Sequence, residues 1–183
     1  MKRNIVIVSI VIVLGAFLTS CDEDTYVSAS DEENILDEQE PLGLVTNYGV
    51  PLYPYLKVNK TGDYFRRIFL DSITYVNYES ENGLPDGSLI VMETWSNGSQ
   101  SSVFYRTKVN GEWLNGSFAP SSPDFSAPSE IVSCNSCHMT AENTDYTYTL
   151  PRIAMALENG AMEIMECDVP PLTPCDLEAY AAN

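Results

Sequence analysis

Histidine occurs once in these 183 residues, and basic side chains are scarce: 9 Lys and Arg stand against 26 Asp and Glu, a formal charge of −17. The acid excess excludes nucleic-acid phosphates as a partner, because such binding needs a basic face. It also argues against docking on anionic lipid headgroups. One histidine excludes a bis-His centre within the chain and leaves a zinc site short of ligands. Long apolar runs are equally scarce. The one present, residues 5–18, falls short of the roughly 20 residues a membrane-spanning helix needs. What is there is a 44% apolar fraction, enough to bury one core in a chain of single-domain length.

Lys2 and Arg3 precede the apolar run, and Leu18-Thr19-Ser20-Cys21 closes it. A basic start, a short apolar stretch and small residues before a break read as a secretory signal. The segment resembles a bacterial lipoprotein signal, in which cleavage leaves the cysteine as the first residue of the mature chain. The resemblance implies a signal peptide over residues 1–20 and acylation of Cys21. It also implies an exported protein held in the bacterial cell envelope, at the outer membrane on its periplasmic or surface side. Losing Lys2 and Arg3 takes the formal charge from −17 to −19. Nine of the nineteen residues 22–40 are acidic and none is basic. Like charges repel and cannot form a core, so residues 21–40 are predicted to be an extended tether.

Residues 41–183 are predicted to fold as one domain. Apolar and β-branched stretches at 53–56, 73–78, 88–94, 103–109 and 112–114 alternate with turn chemistry at Leu84-Pro85-Asp86-Gly87, Asn97-Gly98 and Asn110-Gly111. Strands at short spacing with turns between them predict an antiparallel sheet. Residues 115–130, rich in Ser and Pro, are expected to be a loop. Residues 151–166 carry apolar residues at helical spacing behind Pro151, weakened at Gly160, and 176–182 reads as a final short helix. The expected class is α+β, mainly antiparallel sheet with a few flanking helices.

Cys134-Asn135-Ser136-Cys137-His138 is C-x-x-C-H, the attachment pattern of c-type haem. Two thiols at this spacing can reach the two vinyl groups on one porphyrin edge, and the next residue supplies an imidazole to the iron. The competing readings of a bare CxxC are a disulfide or half a zinc site. Haem attachment happens outside the cytoplasm, where the signal sends this chain. Cys167 and Cys175 then remain as an even pair in an oxidising compartment, and a disulfide is expected.

With the late haem motif, the Asp145-Tyr146-Thr147-Tyr148-Thr149 after it, the Leu84-Pro85-Asp86-Gly87-Ser88 turn and Gly111-Glu112-Trp113 before it, residues 50–150 resemble the cytochrome P-460 family, with its relative cytochrome c′-β. The resemblance implies a mainly antiparallel β fold and one covalent haem c. It implies thioether bonds at Cys134 and Cys137, with His138 as the proximal iron ligand. The family divides by distal chemistry. Members with a lysine joined to the porphyrin oxidise hydroxylamine; members without it bind nitric oxide or carbon monoxide. The lysines after the signal are Lys57, Lys60 and Lys108 only, and Met92 precedes Glu93 where relatives carry Lys before Glu.

The expected function is therefore a lipid-anchored mono-haem cytochrome. It would bind a small gaseous or nitrogenous ligand or take part in redox chemistry, with a redox partner cytochrome drawn by the acidic tether. The alternatives are a hydroxylamine oxidase, an electron carrier with a sixth ligand from Met92, Met155, Met162 or Met165, and a non-haem surface binding lipoprotein. Tyr75, Tyr78, Phe104, Tyr105 and Trp113 are candidate haem neighbours, and Glu93 is the candidate proton acceptor if the site is catalytic.

Overall fold

Two Asn-Gly pairs set the frame of the sheet. Asn97, Gly98, Asn110 and Gly111 all adopt positive φ, 49°, 73°, 53° and 82°. That geometry suits two-residue hairpins whose twist matches the flanking strands. The pairs join β4 (Leu89–Ser96) to β5 (Ser99–Val109) and β5 to β6 (Glu112–Phe118). The computed structural model describes residues 41–79, 83–171 and 173–181; the expected signal 1–20, Cys21 and the rest of the tether lie outside them. β1 (Val45–Asn47), β2 (Val50–Asn59) and β3 (Tyr64–Asp71) complete an antiparallel order β1-β2-β3-β4-β5-β6. β7 (Glu163–Glu166) joins β2 in parallel. The protein is thus α+β, with a seven-stranded, mostly antiparallel sheet.

Apolar residues cover both sheet faces. On one face Leu52, Phe69, Val91 and Val103 are fully buried together with Tyr105, beneath Phe118 and Phe125. On the other, Leu56, Ile68, Leu70 and Ile90 meet Ile153 and Ala156 of α3 (Leu150–Asn159). No helix among the described residues is long and apolar enough to cross a membrane.

Four expectations are corrected. Residues 73–78 were expected to form a strand but lie largely in a helix, α1 (Ser72–Asn77). The reason is Asp71, whose carboxylate accepts from the backbone N–H groups of Ile73 and Thr74 and so caps a first turn. The helix expected over 151–166 stops at Asn159, because Gly160 takes a left-handed φ of 63°. The chain then re-enters the sheet as β7. The loop expected over 115–130 begins only after Phe118, and the C-terminal helix is a single 3-10 turn, Leu177–Tyr180.

Gly116 sits opposite Tyr105 across the β5–β6 ladder. A Cβ at this position would come within 2.2 Å of the tyrosine ring. The ring cannot swing aside, because Phe118 and Phe125 hold it on two edges. Gly116→Ala is expected to cost about 1–3 kcal/mol by overpacking, read as a lower urea midpoint with an unchanged slope.

The expected Cys167–Cys175 disulfide is formed, with an S–S distance of 1.99 Å. Its loop turns carbonyls inward: Thr173 O accepts from Lys60 Nζ at 2.6 Å and Pro171 O from Arg66 Nη2 at 2.9 Å. Burial pulls the Lys60 amine down to about 8. Converting both cysteines to Ser should lower stability by about 2–3 kcal/mol, the loop-closure value for a short ring, in an equilibrium unfolding titration.

Candidate haem-attachment site

The motif occupies a short helix, α2 (Val132–His138). Three residues apart on a helix, Cys134 and Cys137 share a face, and His138 stands one turn beyond Cys134. Both cysteines are free thiols. Asn115 of β6 ties the helix to the sheet, its Nδ2 donating to Asn135 Oδ1 at 2.8 Å.

The chain then makes a 3-10 stretch (Met139–Thr144) and passes through two consecutive left-handed residues, Asp145 (φ 52°) and Tyr146 (φ 55°). Neither is glycine, so each conformation costs about 1 kcal/mol or more. The surroundings impose it. The Asp145 carboxylate accepts from Lys108 Nζ at 2.8 and 2.9 Å and from the Leu84 N–H at 3.1 Å. The Asp145 carbonyl accepts from Trp113 Nε1 at 2.9 Å. Tyr146 N donates to Ala141 O at 2.8 Å.

The result is a carbonyl aimed at the imidazole. Tyr146 O lies 2.8 Å from His138 Nδ1. An oxygen that only accepts favours a proton on Nδ1, which leaves Nε2 with the free lone pair a metal ligand needs, whereas a guanidinium at the same nitrogen favours the other tautomer. Arg106 Nη1 donates to the same carbonyl at 2.6 Å and stands 2.9 Å from Nδ1. The guanidinium is held over the Trp113 ring at 4.8 Å, with its Nε donating to Asn115 Oδ1 at 2.9 Å. Burial above all, then the Arg106 charge, pushes the imidazole pKa down to about 4 against the pull of the Tyr146 carbonyl. The ring is therefore neutral at physiological pH. Tyr148 meets it edge-on at 5.2 Å and donates to Cys137 O at 2.8 Å.

Cys134, Cys137 and His138 line a cavity of about 370 Å³ between α2 and the face of β3–β6. Ile68, Ile90, Met92 and Phe104 supply its apolar floor, and Arg66 and Arg106 bring two cations to its wall. Among the described residues, no three His, Cys, Asp or Glu side chains gather as an all-protein metal site would require. A porphyrin supplies four nitrogens itself and asks the chain for one imidazole. The donor set fits that group: two free thiols on one helix face and a neutral imidazole held by its Nδ1, beside an apolar space.

Of the candidates read from the sequence, Met92, Phe104 and Tyr105 line this cavity. Tyr75 instead stacks on Tyr53 at 3.9 Å, and Tyr78 packs against the core. Trp113 holds Arg106 and the Asp145 carbonyl. Met162 and Met165 are buried in the core, and Met155 lies against Arg152 at 3.8 Å. Glu93 is not brought to the site. It is 2% exposed on the opposite sheet face, accepting from Tyr48 Oη at 2.6 Å and Trp95 Nε1 at 2.9 Å. Strand alternation that turns Met92 inward turns its neighbour Glu93 away. Lys57, Lys60 and Lys108 do not line the cavity. Sequence reasoning missed Arg66, Arg106 and the carbonyl of Tyr146. Arg106 carries a signal, two residues from Phe104 on one strand and hence on the same face. No protein-family model matches the chain, and no curated protein matches it.

Proposed function

We propose that the protein is a mono-haem c-type cytochrome of the cytochrome P-460 and cytochrome c′-β kind, exported and anchored in the bacterial cell envelope through an acylated Cys21. The observation that carries the reading is the meeting of two free thiols and a neutral imidazole, all from one helix, on one apolar cavity. Cys134 and Cys137 would hold the haem by thioethers and His138 Nε2 would take the iron. When bound, the haem would supply a redox-active iron able to take a small ligand such as nitric oxide. The chain's own residues do the rest. The Tyr146 carbonyl and Arg106 Nη1 hold Nδ1 and so orient the ring. Asn115 and Trp113 keep Arg106 in place beside the ring. Ile68 and Ile90 give the cavity a buried apolar floor.

Two other readings differ in what they require. A hydroxylamine oxidase of this family needs a lysine at the porphyrin, and no lysine among the described residues lines the cavity. An electron carrier needs a thioether sulfur, and Met92 stands on the cavity wall.

The test is an absorption spectrum of haem-loaded protein, oxidised and reduced, with and without nitric oxide. The expected result is an ordinary c-type spectrum that shifts on addition of the gas and is unchanged by Met92→Leu. A sulfur-to-iron charge-transfer band abolished by Met92→Leu would establish the carrier instead. A strongly red-shifted ferrous band would establish the lysine-modified enzyme, and a colourless product the non-haem binding lipoprotein.

A further inference from the structure

Acidic side chains outnumber basic ones almost three to one in this chain, yet two cations, Arg66 and Arg106, line the cavity. Lys108 is paired with Asp145 at 2.8 Å and Arg152 faces Glu163 at 3.9 Å. Arg66 lines the cavity and has no carboxylate within ion-pair distance among the described residues. Among the described residues its guanidinium makes one hydrogen bond, from Nη2 to Pro171 O at 2.9 Å. A guanidinium offers five N–H donors in a planar fork, so the others have no acceptor among the described residues.

Its place in the sheet gives the remaining donors a direction. Arg66 is on β3, on the same face as Ile68. The thiols belong to α2, which is fastened over β6 by the Asn115–Asn135 bond. β3 and β6 are separated by β4 and β5, so three strand spacings, about 14 Å, lie between them. The cation therefore belongs to the strand of the cavity floor farthest from the one that carries α2. A porphyrin carries its vinyl groups on one edge and its two propionate carboxylates on the opposite edge. Fixing the vinyl edge at Cys134 and Cys137 turns the carboxylates toward β3.

The fixture around Arg66 is built rather than incidental. Pro171 and Pro174 both belong to the loop closed by Cys167–Cys175; the first holds the guanidinium and the second lines the cavity. The disulfide thus keeps in place the carbonyl that orients the cation.

We infer that Arg66 is an anion-binding residue that receives a propionate carboxylate of the haem, so that the cavity selects a ligand with an apolar body and an acidic edge. This rests on the haem reading above and adds to it the residue that recognises the end of the porphyrin the thiols do not touch. The pairing is charge-assisted and can be bidentate, the geometry in which arginine differs most from lysine.

The test compares ferric haem with its dimethyl ester, which has the same ring and iron but no carboxylates. A Cys134→Ser, Cys137→Ser chain keeps His138 and binds either compound without covalent attachment, and dissociation constants follow from absorbance titrations. This parent is expected to prefer the free acid by about tenfold or more, the worth of a hydrogen bond to a charged group. Adding Arg66→Leu should abolish the preference while leaving ester affinity within about twofold, since the ester reports the fold and the apolar cavity. Arg66→Lys should restore part of it. An undiminished preference in the Arg66→Leu chain overturns the inference and leaves the haem reading standing. Failure of the parent to bind either compound overturns both.

Discussion

Replacing both Cys134 and Cys137 by Ser is expected to abolish covalent pigment completely, while the fold survives. The two side chains differ by one atom, both positions are at least partly exposed, and neither sulfur is joined to another in the structure. No core contact is lost, so the unfolding free energy of the haem-free chain should change by less than about 0.5 kcal/mol, the range of surface substitutions. Each single variant should keep haem on its remaining thiol. His138→Ala has a different signature. It leaves both thioether positions but removes the imidazole that Tyr146 and Arg106 orient, so any haem attached should lose the axial field of a histidine. Denaturing gels stained for haem peroxidase activity read the first effect, and the spectrum of the ferrous protein reads the second. A double-serine variant that still held its haem through boiling in detergent would show that the motif is not the attachment point.

Asp71→Ala is expected to give a large loss of stability from one buried polar side chain. Asp71 is 8% exposed. One carboxylate oxygen accepts from the Ile73 and Thr74 N–H groups at 3.0 and 3.2 Å. The other accepts from the Leu89 N–H at 2.9 Å and from the Thr74 hydroxyl. These donors begin α1 and open β4, so a single side chain fastens the end of β3 to both following elements. Alanine leaves the donors without an acceptor in a largely dry site. A lost cap and further unsatisfied N–H groups together cost about 3 kcal/mol, a fall of roughly 6–12 °C in melting temperature for a domain of this size. Asp71→Asn keeps one acceptor oxygen and should lose about half as much. A melting temperature unchanged by Asp71→Ala would mean that water replaces the carboxylate and that the three elements are held elsewhere.

The same residue explains where the sequence misleads. Ile73, Tyr75 and Val76 favour strands as isolated residues, and their alternation looks like a sheet face. A cap two residues upstream outweighs that preference, because it acts on the backbone N–H groups directly. The hairpins at Asn97-Gly98 and Asn110-Gly111 were legible for the converse reason: positive φ at four positions is a local demand that tertiary contacts do not alter. Of the helix expected over 151–166, only the part up to Asn159 is helical. Its apolar spacing continues past Gly160, but Glu163–Glu166 finds an open edge on β2, and no local pattern shows that edge.

The site divides along the same line. Cys134, Cys137 and His138 are contiguous, so their spacing is visible in the chain. What surrounds them comes from distant strands. Arg106 reaches the Tyr146 carbonyl across forty residues, and Arg66 meets the Cys167–Cys175 loop across more than a hundred. Glu93 shows the cost of an unknown register. Next to Met92 in the chain, it belongs to the opposite face of the sheet, where Tyr48 and Trp95 hold it.

The central claim is that a porphyrin is bonded to this chain at two sulfurs. Its most direct test is the intact mass of protein produced together with a haem-attachment system, after acidic solvent has stripped any loosely held pigment. The account predicts a chain heavier by one haem, with the added mass confined to the peptide spanning Cys134 and Cys137. A chain of unmodified mass, with both thiols free to alkylate, would contradict it.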